Sequence, residues 1–175
     1  MGRIYSATGE NLTITSTSPL FQMMTISTET SAGGSVKIKR IEISQRGTAT
    51  AAQVGFLAGV RLSPGSTFTL TSVSPVPLNY GTPSSAFAGG TAGTTAGSIG
   101  VAATVDGTAT TGTGSYTSFY NWNFCNLNGL IWIATPGEEI VMPASGNALG
   151  NFVIKPTAVP GTLTGWTFTV VWEEF

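Results

Sequence analysis

Apolar and polar residues alternate along most of this chain, and that period of two constrains its fold more than any other feature. The run from Thr162 to Phe175 is the clearest case. Trp166, Phe168, Val170 and Trp172 share one parity, while Thr167, Thr169, Val171 and Glu173 share the other. Successive side chains of an extended strand point to opposite faces, so this run predicts a half-buried β-strand. Its heavily apolar face predicts a central place in a sheet, as when the last strand of a Greek key closes back onto the first.

The same pattern recurs upstream. Arg3 to Ala7 and Asn11 to Thr15 read as a first hairpin or one bent strand, with Leu12 and Ile14 on one face, and Pro19 to Ser27 follows as a second strand. In Ser35 to Gln45, Val36 and Ile38 share one parity and Ile41 and Ile43 the other. That slip at Lys39-Arg40 predicts a β-bulge or a strand that changes sheets. Val54 to Leu62, Ser66 to Ser74, Ser115 to Phe124, Leu130 to Ala134, Glu138 to Met142 and Asn151 to Lys155 complete the strands, with Thr135-Pro136-Gly137 as a turn. Pro75, Pro77 and Pro83 break any regular ladder, since proline lacks the donor a ladder needs.

Helical spacing is almost absent, so the predicted fold is all-β: about eight to ten strands in a two-sheet antiparallel sandwich, a jelly roll before a meander. One domain is expected over residues 1–175, because this length is enough to enclose a core. The stretch 83–114 holds eight glycines and one charge, Asp106, with Ile99, Val101 and Val105 as its larger aliphatics. It reads as a long arm or loop with a short strand near Ile99 to Val105, and as a candidate contact element.

Charged residues make up 9% of the chain, and its net charge is −1. Such a surface gathers no phosphates, which disfavours nucleic acid as a partner. It is also desolvated at little cost against another subunit. No run approaches the length of a membrane span or a signal peptide, so synthesis in the cytoplasm, solubility and no membrane partner are expected.

Residues able to do chemistry are few. Histidine is absent, and Cys125 is the single cysteine, which leaves no disulfide and no cysteine-built zinc site. The pairs Glu138-Glu139 and Glu173-Glu174 would point to opposite faces of a strand and so cannot act as a dyad. No nucleophile elbow, phosphate-binding loop, dinucleotide fingerprint or calcium loop is present. The expectation is no catalytic residue, no cofactor and no metal, in a protein that acts by binding or assembly.

Two groupings could carry such a role. Lys37, Lys39, Arg40, Arg46 and Arg61, five of the seven basic residues, fall within 25 positions and could form a patch on one sheet that docks an acidic partner. A solvated strand face with edge-protecting lysines is the commoner use of such residues. Tyr80, Tyr116, Tyr120 and Trp122 could stack on sugars in a groove, although core packing is the commoner use of such rings.

Several segments together resemble a known group. Arg3-Ile-Tyr5, Pro19-Leu-Phe21, Ile41-Glu-Ile-Ser-Gln45, Gly129-Leu-Ile-Trp-Ile-Ala-Thr-Pro136 with Glu138-Glu139, and Val171-Trp-Glu-Glu174 make the chain similar to jelly-roll virion proteins of tailed phages. The resemblance spans most of the chain outside the glycine-rich stretch. It implies a cement or decoration subunit on the capsid surface, bound to the major capsid protein and commonly trimeric. A glycan- or receptor-binding fibre head, or a major capsid protein with a single jelly roll, would use the same fold.

Overall fold

The computed structural model describes residues 2–15, 20–24, 35–46, 51–62, 71–79, 81–82, 84–85, 87–89, 98–101, 116–142, 150–161 and 164–175. Among these, the first strands are β1 (Arg3–Leu12), β2 (Phe21–Met24), β3 (Val36–Gln45) and β4 (Gln53–Leu62). Four short ones follow: β5 (Thr71–Ser72), β6 (Val76–Pro77), β7 (Ala88–Gly89) and β8 (Ser98–Val101). The remainder are β9 (Tyr116–Cys125), β10 (Leu130–Ile133), β11 (Ile140–Met142), β12 (Gly150–Pro156) and β13 (Trp166–Glu174). The described residues thus hold thirteen strands, more than the sequence suggested, because proline- and glycine-rich segments form two-residue ladders.

The first sheet has the order β10-β3-β13-β1-β6, with β11 also on β3, and the second the order β5-β8-β2-β12-β4-β9, with β7 also on β8. Every pair is antiparallel except β7 with β8. The longer strands nest: β1 pairs β13, β2 pairs β12, β3 pairs β10 and β11, and β4 pairs β9. The two sheets pack as a sandwich, and this nesting is consistent with a jelly roll. The segments between β4 and β9 widen both sheets on one side, β6 beyond β1 and β8 beyond β2.

Aromatic rings join the sheets. Phe21 of β2 meets Phe168 of β13 edge to face at 5.2 Å, and Phe56 of β4 meets Trp166 of β13 at 5.4 Å. Trp166, Phe168, Val170 and Trp172 are all buried in one cluster with Val36, Ile38, Ile41 and Ile43 of β3. The last strand is therefore central, between β3 and β1, as its apolar parity required.

The parity slip in β3 is a bulge. Val171 pairs with Arg40 while the next residue, Trp172, pairs with Ile38, so Lys39 is the extra residue and both halves of β3 keep their isoleucines inward. The opening segment is one bent strand, not a hairpin, its register shifting between Gly9 and Leu12 where Asn11 takes φ 52°. Pro77 falls in a ladder of only two residues, at the outer edge of the first sheet.

Parts of the glycine-rich stretch are tied to the core. Ile99 and Val101 of β8 are buried, and so is Phe87, which stands edge-on to Trp172 at 6.3 Å. Glu174 points inward and is buried while Glu173 points outward, as alternation demands. Its Oε1 accepts hydrogen bonds from Trp172 Nε1 at 3.0 Å and from the Ser85 hydroxyl, and Ser85 Oγ in turn accepts the Phe87 N–H. Residues 102–114, with Asp106, lie outside the described residues.

Two further contacts fix the far end of the sandwich. The Asn126 N–H donates to Ala52 O while the Ala52 N–H donates to Asn126 Oδ1, and Asn126 Nδ2 donates to Gln45 Oε1. Gly165 has φ 78°, and a Cβ there would lie 2.0 Å from Arg46 O, so only glycine lets the chain enter β13 at this point.

Candidate functional site

Residues directly opposed on neighbouring strands share a face, so the register maps the outer surface of the first sheet row by row. One row runs Ile131, Glu42, Thr169, Thr8; the next runs Ile133, Arg40, Val171, Ser6, Val76; a third runs Val141, Lys37, Glu173, Ile4. Its centre is polar, with Thr8 and Thr169 hydroxyls 2.9 Å apart. Its β10 and β11 edge is aliphatic: Ile131 and Ile133 are each 68% exposed and Val141 48%. On the second sheet, by contrast, the outward residues Val153 and Lys155 of β12 are buried.

The five basic residues are divided: Lys37, Lys39 and Arg40 lie on β3, Arg46 just beyond its end, and Arg61 on β4. Lys39 Nζ lies 2.9 Å from Glu139 Oε1 and 3.0 Å from Glu173 Oε2, and Arg40 Nε lies 3.0 Å from Glu42 Oε1. Lys37 Nζ sits 4.8 Å above the Phe175 ring. Arg61 belongs to β4, in the other sheet, and its side chain lies outside the described residues. Glu139 is held at about 2 by the hydrogen bond from Lys39, with backbone N–H groups, Gly137 among them, adding to the effect. The same bond, with that to Glu173, raises Lys39. Lys39 and Arg40 are thus matched by carboxylates on the same face, while Lys37 has the Phe175 ring beside it and no ion pair among the described residues.

Arg46 lies apart, at the end of the first sheet. With Glu10, Asn11, Gly165 and Thr167 it lines an open hollow of about 640 Å³. Of these residues only Arg46 was marked by sequence, because the others meet there through the bend in β1 and the start of β13.

Two of the four aromatic candidates, Tyr120 and Trp122, are drawn inward. Tyr120, Trp122 and Phe124 of β9 oppose Ala58, Phe56 and Val54 of β4, all buried, and therefore face the core. Tyr120 stacks on Trp122 at 5.8 Å, and Trp132 of β10 tilts against both, at 5.0 and 6.2 Å. These half-buried rings close the open side of the sandwich between β9 and β10. No Trp or Tyr is exposed among the described side chains; Tyr80 and the Tyr116 side chain lie outside them. Tyr5 is fully buried against Trp172, and burial, then the nearby Glu174 charge, raises its hydroxyl above the ordinary range.

No family model, curated protein or solved structure matches this chain. Among the described residues no group of three or more His, Cys, Asp or Glu could hold a metal ion, and no helix is long and apolar enough to cross a membrane. Cys125 is half-buried, its Sγ 3.8 Å from Asn126 Oδ1. What the surface offers is a sheet face of hydroxyls, mostly paired charges and edge aliphatics, suited to contact with another folded surface.

Proposed function

We propose that this chain is a structural subunit of a phage virion that binds the outer surface of the assembled capsid and stabilises it, and that it is not an enzyme. The observation carrying this reading is the outer face of the first sheet, where Ile131, Ile133 and Val141 are exposed and the neighbouring Lys39 and Arg40 are already paired with carboxylates of their own chain. Such a face strands neither Lys39 nor Arg40 when it buries against a neighbour, and its aliphatic rim supplies apolar area. The mechanism is thermodynamic. A subunit that binds the shell across several capsid proteins, and not the free capsid protein, shifts the equilibrium toward the shell.

A second reading, the glycan- or receptor-binding head of a phage fibre, draws on the half-buried rings of Tyr120, Trp122 and Trp132. A sugar platform needs an open ring face, and these rings stack on one another beside the core. The test is to incubate the purified chain with empty heads of tailed phages, pellet them, and heat them. Co-sedimentation with a raised disruption temperature is expected. No binding to heads together with saturable binding on a glycan array would overturn the capsid reading in favour of the second.

A further inference from the structure

We propose that the chain self-associates through β10: two copies pair these strands antiparallel about a two-fold axis at Trp132, setting Ile131 of each against Ile133 of the other. β10 ends the strand order of the first sheet and has β3 as its one ladder neighbour among the described residues. The Ala134 N–H donates to Lys39 O at 2.9 Å, and the ladder places Ile133 opposite Arg40. Backbone groups of alternate residues in an antiparallel ladder turn to alternate sides. Leu130 and Trp132 therefore share the side of Ala134, toward β3. The N–H and C=O groups of Ile131 and Ile133 point to the open edge.

The side chains of the same two isoleucines stand on the outer face, 68% exposed. Leu130 to Ile133 carries no charge, no proline and no glycine, so apart from its four-residue length it has none of these devices that blunt an edge strand. The occupant must then be an extended strand with free backbone groups at alternate residues and apolar side chains on the same face. A second copy of β10 has both. Antiparallel pairing at Trp132 lets Ile131 and Ile133 of each copy exchange backbone hydrogen bonds with Ile133 and Ile131 of the other, and gathers four isoleucines on one face. The exposed flank of each Trp132 meets its counterpart at the axis. No charged residue lies on the strand, and Arg40 and Glu42 on the adjoining β3 pair with each other, so the joint buries no unmatched ion. The proposal stands apart from the capsid reading: a dimer that ignores phage heads keeps it, and a monomer that binds them removes it.

Sedimentation equilibrium over about two decades around micromolar concentration, where so small an interface is expected to dissociate, reads it directly. A reversible monomer–dimer equilibrium is expected. The variant Ile131→Lys with Ile133→Lys should raise Kd by about 100-fold or more while leaving the melting temperature unchanged at dilutions where both proteins are monomers. Val159→Lys, at an exposed residue after β12, should leave the mass unchanged. In a Cys125→Ser background, Ile131→Cys mixed with Ile133→Cys should form a disulfide, since paired residues lie about 5.5 Å apart, while neither variant does so alone. A monomer throughout, a trimer, or cross-linking of like variants as fast as of the mixture would overturn the proposal.

Discussion

Among the described residues, the two edges of the first sheet expose aliphatic side chains alike, yet only one of them turns both backbone donors and acceptors outward. On the β6 side, Val76 is 56% exposed and Leu78 51%. There the Leu78 N–H donates to Ile4 O at 2.9 Å, so by the alternation of the ladder Leu78 and Val76 turn their backbone groups toward β1. Pro77, opposite Tyr5, occupies the position whose N–H would point outward, and proline has none. On the β10 side the outward positions are Ile131 and Ile133, with donors and acceptors intact. Exposed apolar area is therefore a poor guide to a docking edge, and the direction of the backbone groups decides.

Removing the frame that holds both edges should have the largest effect. Trp166 is fully buried against Phe56, and Trp166→Ala should destabilise by about 3–5 kcal/mol in urea unfolding, loosening the two edges together. A loss below about 1 kcal/mol would mean that β13 is not the central strand of the core. Asn126→Ala acts on one edge, because Asn126 pins the turn that leads into β10. About 1–3 kcal/mol should be lost as the partners at Ala52 and Gln45 go unmet. Hydrogen exchange should rise at β10 and remain unchanged at β6.

Pro77→Val should do the reverse, giving the β6 edge the donor it lacks with a stability change of no more than about 1 kcal/mol. In the background of Ile131→Lys with Ile133→Lys, light scattering should then show new self-association; continued monomers would mean that proline is not what silences that edge. The smallest effect concerns Lys39 and Glu139, which fasten the turn between β10 and β11 to the bulge. Glu139 is held down at about 2 against an ordinary value of 4.5. The stabilisation it contributes is therefore present above pH 4.5 and fades as the pH falls toward 2. The melting-temperature gap between wild type and Glu139→Gln should close over that interval, and a gap that persists at its lower end would mean that the ion pair is not its source.

Features set by alternation within one strand were legible in the sequence. The inward faces of β13 and β3, the bulge at Lys39 and the opposed directions of Glu173 and Glu174 all follow from counting residues. What depended on which strand lies beside which was not. Lys39 and Arg61 look like members of one cluster, but strands close in sequence fall in different sheets, and Glu139 and Glu173, the partners of Lys39, come from distant segments. Leu130 to Ala134 reads as a strongly apolar strand, but only half of it packs inward: Trp132 faces in, while Ile131 and Ile133 are exposed because β10 lies at an edge. In the glycine-rich stretch, Phe87, Ile99 and Val101 were the signal, isolated large side chains that the core takes up.

The difference between the two edges is tested most directly by amide hydrogen exchange at low and high protein concentration, resolved to single residues. The expected result is that the Ile131 and Ile133 amides exchange freely in dilute solution and become protected as concentration rises, with no change at Val76 or Leu78. Protection that is independent of concentration, or that grows at the β6 edge instead, would contradict the assignment of β10 as the open edge through which this chain associates.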